Sequence, residues 1–248
     1  MSGHSKWASI KHKKAIVDSR KGKLFTKLAR GIVVAAREGG GDIEGNPSLA
    51  LAVQKAKDAS MPKDNIERAI AKGTGADKDA DAFEAVLYEG YGPGGVAILV
   101  EALTDNRNRT GADIRHAFTK AGGNLGEPGS VAYLFEKKGL ILVDAGRYSE
   151  EDLMPAIEAG AEDIVVDEDV IEVITDPSEL TAVRAALEQA GVEVDTSEVQ
   201  QRPQTSVPVD ADTVGKLMRL IDALDDNDDV DSVHANFDAP ADVLEAAM

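Results

Sequence analysis

The chain has 248 residues, 43% of them hydrophobic, no cysteine and a formal net charge of −18 at neutral pH. That length can bury a sizeable core in one large domain or in two to three small ones, and the apolar content argues for a folded chain. The lack of cysteine removes disulfides, thiolate zinc sites and cysteine nucleophiles, and fits a reducing cytosol. With no 18-residue apolar run and no uninterrupted apolar stretch at the N-terminus, the expectation is a cytoplasmic protein that does not engage a membrane. Charge is unevenly spread. The first 37 residues hold ten Lys/Arg and one acid, Asp18, so this head carries +9 and residues 38–248 carry −27. Cations gathered at one end of so acidic a chain point to a polyanion.

Residues 1–78 read as a basic helical domain. A helix is predicted over 22–38. With Lys23 at zero on its wheel, Lys27, Arg30 and Arg37 fall within roughly 40°, opposite Leu24, Phe25, Leu28, Ala29, Ile32, Ala35 and Ala36. One stripe packs and one basic stripe is displayed. Gly39-Gly40-Gly41 ends this helix, Asn46-Pro47 starts a second, and Pro62 starts a third that Gly73 closes. Residues 74–82 form a small-residue linker.

Strands and helices alternate after that. Strands at 83–91 and 96–104 flank a Gly/Pro turn, and a helix follows over about 110–122 with Thr110 and Asp113 as its capping pair. Residues 135–202 read strand, helix (SEEDLMPAIEAG), hairpin, helix and strand, the split βαβ or ferredoxin-like plan. Past Pro203 come a strand at 205–209, a helix at 211–225 and a strand at 230–237. Joining 79–134 to 203–248 gives a cyclic shift of the same plan. The expected fold class is therefore α+β with three domains. A helical domain (1–78) precedes two ferredoxin-like α+β domains, the acidic third (135–202) inserted into the discontinuous second (79–134 and 203–248).

Few motifs suggest chemistry. Gly90 to Gly95 matches G-x-G-x-x-G, but those glycines precede a strand and read as a hairpin turn. Asp225-Asp226-Asn227-Asp228-Asp229 fails as a calcium loop, with Val230 where Gly is needed and Asn236 at the bidentate Glu position, so it reads as a solvated acidic turn. His4, His12, His116 and His234 lack metal-ligand spacing. No metal, cofactor or catalytic residue is expected, and no enzyme motif is present. Thr104 to Thr110 reads in two ways: Arg107 and Arg109 hold a phosphate at a helix start, or the loop satisfies itself and its arginines pair with local acids. The head is the main candidate site. Lys6, Lys11, Lys13, Lys14, Arg20, Lys21, Lys23, Lys27 and Arg30, with Trp7 and His12 interleaved, suit a nucleic-acid backbone and exposed bases. Trp7 serves equally as a buried anchor. The alternative is a basic arm that neutralises the protein's own acidic domains.

Four segments in order give a resemblance that covers nearly the whole chain: SGHSKWASIKHKK at 2–14, MPKDNIERAIAKG at 61–73, YEGYGPGGVAILVEALTDNRNRT at 88–110 and the run from Gly123 to Gly139. The chain resembles the YebC/PmpR family, which includes the mitochondrial translational activator of cytochrome c oxidase I. Ser9 stands where the family pattern has Asn. The resemblance implies the three-domain arrangement above and a non-enzymatic regulator of gene expression. One form of that role is a DNA-binding transcriptional regulator on promoter DNA. The other is a ribosome-associated translation factor that binds ribosomal RNA and relieves stalling, for example at consecutive prolines. It also implies Lys6, Trp7, Lys11, His12, Lys13 and Lys14 as nucleic-acid contacts. With no heptad seam or exposed apolar strand edge, a monomer is expected.

Overall fold

The structure, a computed structural model, describes residues 21–75, 83–167 and 169–246. Three helices come first: α1 (Lys21–Gly39), α2 (Pro47–Asp58) and α3 (Lys63–Thr74). Leu28, Ile32, Val33, Ala35 and Ala36 of α1 share one core with Leu49, Val53 and Ala56 of α2 and Ile66 and Ala69 of α3. Gly40, at φ +87°, stops α1 and donates its N–H to the Ala36 carbonyl at 2.9 Å, the left-handed helix end that only glycine adopts without strain. Asn46 then closes two helix ends at once. Its Oδ1 accepts from the Leu49 N–H at 3.1 Å, and its Nδ2 donates to the carbonyls of Ala35 and Gly40, each at 2.8 Å. Both helices thereby lose otherwise unpaired backbone groups.

β1 (Glu84–Tyr91) and β2 (Ala97–Thr104) form an antiparallel hairpin in register from Glu84↔Thr104 to Tyr91↔Ala97. The glycine run is its turn, with Gly94 and Gly95 both at φ +74°. α4 (Arg107–Lys120) recrosses the sheet, β3 (Asn124–Leu125) pairs with β1, and β9 (Val230–Ala235) pairs with β2, so the order is β3-β1-β2-β9. Ile98 and Val100 point to one face, where Ile114 and Phe118 of α4 meet Val214, Leu217, Leu220 and Ile221 of α7 (Ala211–Asp225). Ala97 and Leu99 point to the other, against Val131 and Phe135, the two-residue alternation of a sheet covered on both sides.

Two predicted strands differ here. The strand expected at 205–209 is the two-residue β8 (Val207–Pro208), which pairs in parallel with β10 (Phe237–Asp238) outside the main sheet. Pro208 has no N–H with which to join a wider ladder. The strand expected at 230–237 breaks at buried Asn236, whose side chain accepts from the Ala97 N–H at 2.7 Å. β3 and the C-terminal helix α8 (Ala241–Ala246) were not anticipated.

β4 (Phe135–Asp144), α5 (Met154–Glu158), β5 (Ala161–Val166), β6 (Val170–Thr175), α6 (Leu180–Gln189) and β7 (Thr196–Pro203) follow. Their sheet is antiparallel in the order β5-β6-β4-β7, with the first and third strands central as the split βαβ plan requires. Where one helix was expected from 149 to 160, a single 3₁₀ turn (Glu150–Leu153) precedes a short α5. Pro155 explains the break, since its ring would clash with a carbonyl four residues back in a helix begun earlier.

α2 ties the helical unit to this second sheet. Asp58 accepts two hydrogen bonds from Arg184, at 2.7 and 2.9 Å, and both side chains are partly buried. Lys55 lies 2.9 Å from Glu198, and its pKa is raised above the ordinary lysine value, chiefly by that carboxylate. Gln201 on β7 donates to Glu101 on β2 at 3.2 Å, joining the two sheets.

Asp58→Ala is expected to destabilise the protein by about 3 kcal/mol in urea unfolding, because it leaves the Arg184 charge partly buried and alone. Arg184→Lys should destabilise as well, since an ammonium cannot reproduce the two parallel bonds.

Candidate nucleic-acid interface

Of the head residues singled out above, Lys6, Trp7, Lys11, His12, Lys13, Lys14 and Arg20 lie outside the described residues. Lys21 is described only as the first residue of α1. Lys23, Lys27 and Arg30 do share a face of α1, and that face is occupied. Lys23 Nζ lies 3.6 Å from a carboxylate oxygen of Asp226 and 3.4 Å from its carbonyl. Lys27 Nζ donates to the Asp225 carbonyl at 2.6 Å, and Arg30 donates to the Asp228 carbonyl at 2.5 Å.

The acidic run Asp225–Asp229 is therefore more than the solvated turn expected from the sequence. It follows α7, so its carbonyls carry the negative end of that helix as well as the side-chain charge. A cationic helix face is its natural complement. The stripe and the turn are each other's counter-ions.

Asp229 is the centre of this contact and is buried. One carboxylate oxygen accepts from Arg30 at 2.9 Å. The other accepts from Arg109 at 2.6 Å and from the Thr110 hydroxyl at 2.7 Å, with the Thr104 hydroxyl at 3.4 Å. Burial pushes the Asp229 pKa up, but the hydrogen bonds from Arg109 and Thr110 and the charges of Arg109 and Arg30 outweigh it and hold the carboxyl below its ordinary value. Arg30 also stacks over Phe83, 5.1 Å from the ring centre, a favourable place for a guanidinium.

The start of α4 differs from the expected Thr110–Asp113 cap. Asn106 is the N-cap, accepting from the Arg109 N–H at 3.1 Å, while Thr110 lies inside the helix and its hydroxyl is committed to Asp229. The two readings of the Thr104–Thr110 loop thus separate by residue. Arg109 spans Asp105 at 2.7 Å and Asp229 at 2.6 Å. Arg107 is exposed, 3.6 Å from Glu84.

Two further cations escaped the sequence reading. Arg68 and Lys72, four apart on α3 and exposed, edge a groove of about 520 Å³ between α1 and α3 that Phe25 and Phe83 also line. Their four-residue spacing was the available signal; their distance from the basic head hid it. Among the described residues no cluster of three or more His, Asp or Glu is placed to hold a metal ion, and no helix is long and apolar enough to cross a membrane.

Residues 5–76 match the TACO1/YebC protein N-terminal domain, and residues 83–237 match the TACO1/YebC second and third domain. The chain belongs to the TACO1/YebC family. Among its relatives, a protein of Rubrobacter xylanophilus named "Probable transcriptional regulatory protein" is 58% identical over 98% of both chains. One of Mycolicibacterium gilvum with the same name is 53% identical over 98% of this chain and 97% of its own. In structure the chain is similar to a conserved hypothetical protein of Aquifex aeolicus, with a TM-score of 0.86 and 52% identity over 94% of this chain and 97% of that one. The expected family and the α+β fold class are both borne out, and the names of these TACO1/YebC relatives support a regulatory role.

Asp229→Asn keeps the shape and removes the charge. It should cost about 2–3 kcal/mol at neutral pH in denaturant unfolding. Because the folded pKa is depressed, the carboxylate's contribution is complete above the unfolded aspartate value near 3.9 and disappears as pH falls through the lower folded value. The stability gap between wild type and variant should therefore close on acidification.

Proposed function

We propose that this protein is a non-enzymatic, cytoplasmic regulator of gene expression that binds nucleic acid through its basic N-terminal segment, acting as a monomer on promoter DNA. The observation that carries this reading is the segregation of charge, +9 in the first 37 residues against −27 in the rest. The names of the relatives agree with it. The stripe of Lys23, Lys27 and Arg30 faces the protein's own acid, which assigns it to seating α1. Phosphate contact then falls to the cations joined to that seated helix, Lys6, Lys11, Lys13, Lys14 and Arg20, with Trp7 and His12 among them. Such contacts give backbone affinity that weakens as salt rises.

A second reading, a translation factor that binds ribosomal RNA, draws support from the acidic remainder. A duplex lying along it would be repelled, whereas an end-on approach into a crowded RNA particle keeps the acids away from the phosphates.

Crosslinking in cells followed by sequencing of the bound nucleic acid separates the two: enrichment of promoter DNA supports the first, and ribosomal RNA the second. In either case changing Lys11, Lys13 and Lys14 together to Glu should lower affinity at least about tenfold at physiological salt. Unchanged crosslinking by that variant contradicts the assignment of the head.

A further inference from the structure

The first sheet unit, built on β3-β1-β2-β9, contains a groove that the head's function does not use. It measures about 720 Å³ and runs between α4, the edge of β1 left uncovered by the short β3, and the loop at Gly126–Pro128, so several separate segments supply its walls. That is room enough for a small polar ligand or one unit of a polymer.

Its construction is specific. One wall is the exposed face of α4, where Arg107 and Arg115 stand two turns apart, roughly 12 Å along the axis, with Asn108 and His116 beside them. Arg115 makes no ion pair among the described residues, and Arg107 has one exposed partner, Glu84 at 3.6 Å. Gly111 lies between the arginines on the floor, where a Cβ would rest in ordinary contact with the Tyr88 ring at 3.5 Å and a larger side chain would intrude on the groove. Tyr88 is steadied by its hydroxyl, which donates to the Arg107 carbonyl at 3.3 Å, and neighbouring Leu87 is 41% exposed.

The opposite wall is fixed by a buried acid. Glu89 accepts from the backbone N–H groups of Gly129, Val131 and Ala132 at 2.6, 2.7 and 2.8 Å. Both of its oxygens are used, so it holds the loop in place and gives the groove little free negative charge. Glu127 remains as an exposed carboxylate at the rim. Cations are scarce in residues 38–248, and here two arginines and a histidine gather around one ring and one acceptor.

We infer that this groove is a second binding site for nucleic acid, taking a single-stranded segment whose phosphates meet Arg107 and Arg115 and whose base lies against Tyr88. The inference rests on the nucleic-acid reading above and gives it a contact surface outside the head. Guanidinium groups suit phosphate in pairs, an aromatic ring accepts any base face, and a free carboxylate such as Glu127 accepts from an exocyclic amino group. A duplex presents its bases stacked and inaccessible, so the groove selects unpaired strand.

The test uses the full chain and a fluorescein-labelled 20-nucleotide RNA of mixed sequence, alone and annealed to its complement, read by anisotropy over a salt series. Arg107→Ala with Arg115→Ala should weaken single-strand binding about tenfold and lower the salt slope by roughly 0.7 per lost contact. Gly111→Leu, which fills the floor without changing charge, should weaken the single strand and spare the duplex. Circular dichroism confirms that each variant is folded. If both groove variants bind the single strand like wild type while the Lys11, Lys13 and Lys14 to Glu variant does not, the groove assignment falls and the head reading stands. If wild type binds neither RNA nor the corresponding DNA, both fall. Displacement of the single strand by poly-glutamate as readily as by unlabelled RNA also overturns the groove assignment, marking a site for acidic chains in general.

Discussion

The arrangement of this protein turns on one buried carboxylate. Asp229 sits where α1, the start of α4 and the entry to β9 converge, and it serves all three through Arg30, Arg109 and Thr110. A buried acid without partners would be strongly unfavourable, so the position is stable only when these groups are in place together. That condition fixes how the first helix lies on the sheet unit. On the far side of the helical unit, Asp58 and Arg184 do the same for the second sheet. Two ion pairs of high geometric quality therefore hold one helical unit against two sheets.

The surrounding acids fit the same logic. A run of four aspartates at the end of α7 would be repulsive by itself, and the helix terminus adds to it. Lys23, Lys27 and Arg30 relieve that repulsion from across the chain. A helical wheel shows that these cations share a face. It does not show what the face meets, because the partner lies about two hundred residues away and no local pattern records it. The proposal that the stripe neutralises the protein's own acid, one of two readings from the sequence, describes these three residues well.

What was legible in the sequence follows from local rules. The glycine stop after α1, the Asn46 cap, the hairpin at Gly90–Gly95 and the strand-helix alternation of residues 135–202 all announce themselves through periodicity or turn chemistry. What was not legible depended on distant pairing or on a local competitor. Asn106 outcompeted Thr110 as the cap because Asp229 claims the threonine hydroxyl. Pro208 kept β8 out of the main sheet, and Pro155 shortened a helix that its apolar pattern would have supported. The groove along α4 was hidden for the same reason as the ion pairs, since Tyr88, Arg115 and the Glu89-held loop meet only once the sheet has formed. The result is a mostly acidic body with a cationic head, a groove edged by arginines along α4, and an internal joint that keeps the head's helix in position.

A double-mutant cycle on Arg30→Ala and Asp229→Ala, followed by denaturant unfolding, measures that joint most directly. The account predicts that the two losses are far from additive, with a coupling of about 1–3 kcal/mol that persists at high salt because the acid is buried. Additive losses, with a coupling near zero, would mean that Arg30 and Asp229 do not seat α1 on the sheet unit and would contradict the account.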